Sequence, residues 1–123
     1  MSKLTREIKN YMHDLKSHPE DGITASFSFP EEFIGFRGHF PGKPVLPGVC
    51  KIQAILCMIE TAMQKTPKLK EVASAKFFAP ITANEEAFFT VRMIPQGEDE
   101  GRAKAVIQRK DKKIAEIHLR VSF

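Results

Sequence analysis

Along this chain the apolar positions change period several times, and each period predicts an element. Leu4, Ile8, Met12 and Leu15 recur at steps of three and four among Lys, Arg, Glu and Asp. That spacing predicts an amphipathic helix over residues 3–16. SHPEDG then ends it with a proline and a glycine. ITASFSF alternates strictly, with Ile23, Ala25, Phe27 and Phe29 on one face and Thr24, Ser26 and Ser28 on the other. This is the pattern of a half-buried strand. PEEFIGFRGHFPGKPVLPG follows, rich in Gly and Pro but also holding Phe33, Phe36 and Phe40. A loop with that apolar content is expected to pack down onto the protein and to carry function.

Pro47 and Gly48 open the next element. From Val49 to about Gln64, the residues Val49, Ile52, Ala54, Ile55, Leu56, Met58, Ile59, Ala62 and Met63 occupy nearly the whole helical circumference. A helix that is apolar all round is enclosed by other structure. EVASAKFF, EEAFFTVRMI, RAKAVIQRK and KIAEIHLRVSF then read as strands, separated by APITAN, PQGEDEG and KDK. In the last of them Ile117, Leu119, Val121 and Phe123 alternate with Glu116, His118, Arg120 and Ser122. No repeat, linker or low-complexity segment interrupts the order. The reading is one α+β domain over residues 1–123, with an N-terminal helix and turn over 1–22 and a core over 23–123. A single enclosed helix needs a curved antiparallel sheet of about five strands wrapped around it. Such a sheet leaves an edge, and edges are usually paired or blunted. A dimer with sheets continuous across the interface is therefore expected.

Composition changes this picture little. The chain has 123 residues, 42% hydrophobic and 28% charged, which fits one soluble domain with a modest core. No apolar run reaches the ~18 residues that span a bilayer, and the polar N-terminus lacks the apolar stretch of a signal peptide. A cytoplasmic protein with no membrane association is expected. Cys50 and Cys57 lie in one predicted helix, their Cα atoms ~10 Å apart, too far for a disulfide. No histidine stands at ligand spacing from them, so neither a metal nor a cofactor is expected. Both cysteines read as small buried hydrophobes. The net charge of +4 gathers in QKTPKLK and RKDKK. Nucleic acid and an acidic protein are the two partners such patches suit. Without a helix-turn-helix, an aromatic-basic interleaving or a zinc finger, nucleic acid is set aside.

The chemistry sits around one motif. Gly38-His39-Phe40-Pro41-Gly42, then Pro44-Val45-Leu46-Pro47-Gly48-Val49 leading into the enclosed helix, resembles the signature of the FabA/FabZ-type β-hydroxyacyl-acyl-carrier-protein dehydratases. The pattern GHFPGxPxxPG matches at every defined position. AKFFAPI and FSFPEEFIGFRGHF are similar to the family's flanking segments, so the resemblance covers residues 23–123. The family's usual opening is absent, and the chain is similar to a shorter FabZ-like subgroup that includes dehydratases of aryl-polyene-type biosynthesis.

The resemblance implies a hotdog fold, with the curved sheet wrapped around one long central helix. It implies His39 as catalytic base, working against a carboxylic acid on the central helix of a partner subunit. That position is Gln53 here, and this is the chief departure.

Dehydration of a 3-hydroxyacyl thioester removes the proton beside the carbonyl and expels the 3-hydroxyl as water. A neutral imidazole suits the first task. N–H groups at Gly48 and Val49, after Pro47, are placed to hold charge on the thioester oxygen, helped by the helix dipole. Phe40, Phe77 and Phe78, with Ile52 and Leu56, are candidates to line an acyl tunnel. Gln53 cannot cycle a proton, but its amide can orient a hydroxyl or a water. Glu60, a water held by Gln53, or a carboxylate from a related subunit in a heterodimer are the ways to replace the acid.

Two other readings stay open: a hotdog thioesterase, and a non-catalytic subunit that binds acyl carrier protein or an active paralogue. The expected substrate is a thioester of acyl carrier protein or CoA, and the expected assembly is a homodimer or a heterodimer with a related dehydratase subunit. Arg37, Lys43, Lys65, Lys68 and Lys70 are the residues expected to meet an acidic carrier. His13, His18 and His118 read as solvated.

Overall fold

The computed structural model describes residues 2–37 and 44–123. Among these the chain forms α1 (Lys3–Asn10), β1 (Met12–His18), β2 (Gly22–Ser28), a 3-10 turn at Ile34–Phe36, α2 (Gly48–Met63), β3 (Lys68–Phe77), β4 (Glu86–Pro95), β5 (Glu100–Arg109) and β6 (Lys112–Ser122). The six strands make one sheet in the order β1-β2-β4-β5-β6-β3, and every neighbouring pair is antiparallel. Two connections cross over, from β2 through α2 to β3 on the far side of β6, and from β3 back to β4 beside β2. α2 packs on β1, β2 and β4, with α1 laid against it.

The alternating strand at residues 23–29 behaves as its pattern predicts, since Ile23, Ala25, Phe27 and Phe29 are all buried. They meet Ala54, Ile55, Met58 and Ile59 from α2 in a single core. The phenylalanine-rich stretch is also packed down. Phe33 and Phe36 are buried, and Tyr11 meets both Phe29 and Phe33 edge to face, at 5.9 and 5.8 Å between centroids. Gly35 lets this turn approach α2, because a Cβ there would lie 2.9 Å from the Cys50 sulfur.

The N-terminal helix is shorter than its spacing predicts. Ser2 caps α1 by accepting from the Thr5 N–H at 3.1 Å, the helix ends at Asn10, and Tyr11 closes it. Residues 12–18 are not helical but form β1, paired with β2, so the sheet has six strands and residues 1–22 belong partly to the core sheet. The misleading feature is a β-bulge. His13 pairs with Ser26 while Lys16 pairs with Thr24, which inserts one extra residue into β1, and Asp14 takes a left-handed φ of 56°. A bulge turns the two-residue strand period into a three-residue step. Met12 and Leu15 therefore share the core-facing side at a spacing that imitates a helix.

β3 forms the opposite edge, and nearly all its side chains are exposed on both faces. Two register shifts break its pairing with β6. Leu69, Val72 and Phe77 are among the exposed large apolar residues.

Candidate functional site

Pro47 is the N-cap of α2 and makes no side-chain cap bond. Its carbonyl accepts from the N–H groups of Cys50 and Lys51, at 3.0 and 3.3 Å. The N–H groups of Gly48 and Val49 have no acceptor among the described residues. Two free donors therefore stand at the positive end of a sixteen-residue helix, where the macrodipole favours negative charge. The approach to the helix is fastened to the segment after β3. Leu46 N–H donates to the Ile81 carbonyl at 2.8 Å, and Val45 bridges to Thr82.

That segment is itself clamped. Glu85 accepts from the Thr82 N–H at 2.8 Å and its hydroxyl at 2.6 Å, and Arg109 donates to Glu85 at 3.3 Å and to the Pro80 carbonyl at 2.7 Å. Burial alone would raise the Glu85 pKa, but the Thr82 and Arg109 contacts bring it below the usual range. The clamp fixes the stretch that follows Phe77.

Phe77 stands over the start of α2. A Cβ on Gly48 would lie 3.2 Å from its ring. Phe77 and Phe78 are both exposed and line a groove of about 330 Å³ with Val45, Lys51, Ala79 and Pro80. Lys51 is only 4% exposed, with its Nζ 4.4 Å from the centroid of the Phe77 ring. Burial lowers its pKa from 10.5. Sequence reasoning missed this residue; the available signal was a single charge between Cys50 and Ile52 in the apolar part of the helix.

Gln53 faces elsewhere. It is half-buried and lines a cleft of about 390 Å³ between α1 and α2, with Thr5, Leu56, Cys57, Glu60, Thr66 and Pro67. Glu60 thus shares the cleft with Gln53. The thiol of Cys57 points toward the Thr5 carbonyl at 4.0 Å. Burial, reinforced by the Glu60 carboxylate and opposed by Lys9, pushes the Cys57 pKa up to about 11. Cys50 and Cys57 are both free and buried.

The single tunnel expected from Phe77, Phe78, Ile52 and Leu56 is therefore divided within one chain. The phenylalanines belong to the groove at the helix start, Leu56 to the Gln53 cleft, and Ile52 packs against the core. The cause is helical geometry: residues 51 and 53 are about 200° apart around the axis at 3.6 residues per turn.

Of the other expected site residues, Val49 is exposed and Pro47 half-buried. His39, Phe40 and Lys43 lie outside the described residues. Arg37 is exposed at the end of the 3-10 turn, while Lys65, Lys68 and Lys70 are exposed beyond the far end of α2. The structure thus does not gather the four described basic residues at the helix start. His13, His18 and His118 are exposed, as read. Among the described residues no helix is long and apolar enough to cross a membrane, and no group of three His, Cys, Asp or Glu side chains is arranged to hold a metal ion.

A family model described as ApeI-like, ApeI dehydratase, matches residues 15–117, and the chain belongs to this family. It is 31% identical over 83 residues to the 3-hydroxyacyl-[acyl-carrier-protein] dehydratase FabZ of Ehrlichia chaffeensis, covering 62% of this chain and 57% of that protein. It is 32% identical over 91 residues to the FabZ of Enterococcus faecalis, covering 68% and 64%. The matched region thus spans less than two thirds of each relative's length.

Among solved structures, the dehydratase heterocomplex ApeI:P of Xenorhabdus doucetiae superposes with a TM-score of 0.73 at 15% identity, covering 91% of this chain and 96% of that one. The Escherichia coli PaaI protein of the phenylacetic acid degradation operon gives 0.70 at 13% identity, covering 98% and 87%. These neighbours carry the fold alone, the hotdog fold implied by the motif.

Proposed function

We propose that this protein dehydrates 3-hydroxyacyl thioesters to trans-2-enoyl thioesters, with the acyl group carried on acyl carrier protein or CoA. The observation that carries the reading is that the Gly48 and Val49 N–H groups have no acceptor among the described residues, in a chain of a dehydratase family and where the GHFPGKPVLPG motif ends. His39 takes the proton from the carbon beside the carbonyl. The electron pair of that bond moves toward the thioester oxygen, where the two N–H groups hold the enolate charge. The enolate then expels the 3-hydroxyl, which receives the proton back from the His39 imidazolium and leaves as water. Gln53 of the partner subunit orients that hydroxyl by hydrogen bonding, since within one chain Gln53 faces a separate cleft.

The working unit is a dimer of hotdog chains joined along β3. Antiparallel pairing of two β3 edges would bring Lys68 and Lys70 of one chain to the Phe77 end of the other, which gives those lysines a route to a carrier protein. The partner is a second copy or a related subunit, as in the ApeI:P heterocomplex.

Hydration of a trans-2-enoyl thioester, followed by loss of enoyl absorbance, tests the reading. Activity is expected in the wild type, none in His39→Ala, and a higher rate in Gln53→Glu, since general acid catalysis is typically worth about 10²–10⁴-fold. Release of free thiol without hydration would instead identify a thioesterase. No turnover, alone or with a related subunit, would identify a binding partner.

A further inference from the structure

Lys51 is the one buried charged side chain among the described residues, and its position is unfavourable twice over. It has lost water, and it sits in the first turn of α2, where its charge has the same sign as the helix dipole. No hydrogen bond or ion pair to it is made by the described residues, and burial is the only cause acting on its pKa. A methionine of similar volume would pack there without either penalty. A contact with one aromatic face compensates only part of such a loss. The arrangement is explained if an anionic oxygen arrives.

The geometry says where that oxygen would be. Helical side chains lean toward the N-terminus and cover the preceding turn, so the Lys51 stem runs back toward Gly48, one turn earlier. The Phe77 ring joins the two: it lies 4.4 Å from the ammonium and 3.2 Å from where a Gly48 Cβ would stand. Among the described residues the groove around them is otherwise uncharged, lined by Val45, Phe77, Phe78, Ala79 and Pro80. No second titratable group among the described residues lines it, and Cys50 beside it on the helix is buried in the core.

We propose that Lys51 is a further catalytic group of this reaction, its ammonium standing with the Gly48 and Val49 N–H groups around the thioester oxygen and holding the negative charge that develops there. The inference rests on the dehydratase reading and adds a reason why glutamine suffices at position 53. As the C2–H pair moves into the enolate, the ammonium lowers the energy of that charge. The enolate then breaks the C3–O bond, with only the proton returned by His39 needed to release water.

The test compares wild type, Lys51→Met and Lys51→Arg on a trans-2-enoyl N-acetylcysteamine thioester, which has no phosphate, and on the matching CoA thioester. Loss of one oxyanion donor typically lowers kcat about 10²–10³-fold. Lys51→Met is expected to lose about 100-fold in kcat on both substrates, with KM nearly unchanged and an unaltered or higher melting temperature. Lys51→Arg should keep more of the rate. The wild-type alkaline limb of kcat should lie below the ordinary lysine range and move upward in Lys51→Arg, a result that holds even where the methionine variant does not fold.

Unchanged kcat in Lys51→Met, or no displacement of the alkaline limb in Lys51→Arg, would overturn the proposal. So would a defect seen only as a raised KM on the CoA thioester, which would make Lys51 a phosphate contact. A wild type inert on both substrates, alone and with a related subunit, would overturn the dehydratase reading together with this one.

Discussion

The two cysteines, seven residues apart in α2, have the same side chain in similar burial, and neither is set up as a nucleophile. Burial raises both thiol pKa values, which leaves little thiolate at neutral pH. Both are expected to react with a disulfide reagent at pH 8 only as the chain unfolds, and so far more slowly than in denaturant. The Cys57 pKa also has a stability consequence. With an ordinary value of 9.0 and a folded value of about 11, the folded chain holds a proton that the unfolded chain releases. The stabilisation is complete below pH 9 and is lost as pH rises toward 11. Melting temperatures measured from pH 8 to 11 should fall more steeply in wild type than in Cys57→Ala; equal slopes would count against it. The burial of both cysteines was legible from the helix pattern, because each lies on a circumference that is apolar throughout. The burial of Lys51 was not, because nothing local to a lysine says that Phe77 will stand above it.

At the scale of elements, the β1–β2 hairpin depends on one backbone conformation. Gly22 has a φ of 90°, and a Cβ there would stand 2.5 Å from the Val91 carbonyl oxygen of β4. Gly22→Ala therefore meets both a strained dihedral and a backbone atom that cannot turn aside. A loss of about 2 kcal/mol or more is expected, read as a lower denaturant midpoint with an unchanged slope. A midpoint within error of wild type would refute it. The same hairpin explains the misread N-terminus. A bulge at residues 13–16 and a helix produce the same three-residue step, and only the pairing with β2 distinguishes them. Elements without such a device were read closely: α2 begins at Gly48 and ends at Met63, each one residue before the expected bound.

For the whole molecule, the β3 edge carries the clearest consequence. A ten-residue strand exposed along nearly its whole length, with Leu69, Val72 and Phe77 open to solvent and Val49 and Met63 open on α2, is a surface built to be covered. Analytical ultracentrifugation should find a species of about twice the 13.9 kDa chain, as copies or with a related subunit. Val72→Lys should shift it toward monomer at micromolar concentration, since a charge on an edge strand discourages pairing. A wild type that stays monomeric with and without such a subunit would refute the dimer.

Local periodicity and one motif were enough to determine a single largely apolar central helix, five of the six strands, an α+β architecture and the dehydratase family to which the GHFPGKPVLPG stretch points. Those features depend on residues within a few positions of one another, and alternation or helical spacing records them directly. Tertiary structure alone decided that residues 12–18 join the sheet, that Gln53 and Phe77 belong to separate grooves, and that Lys51 is buried beside the helix start. Each depends on a neighbour distant in the chain: Ser26 across a bulge, Thr5 across a shared cleft, Phe77 over an ammonium. A linear pattern carries no trace of such contacts until the chain has folded.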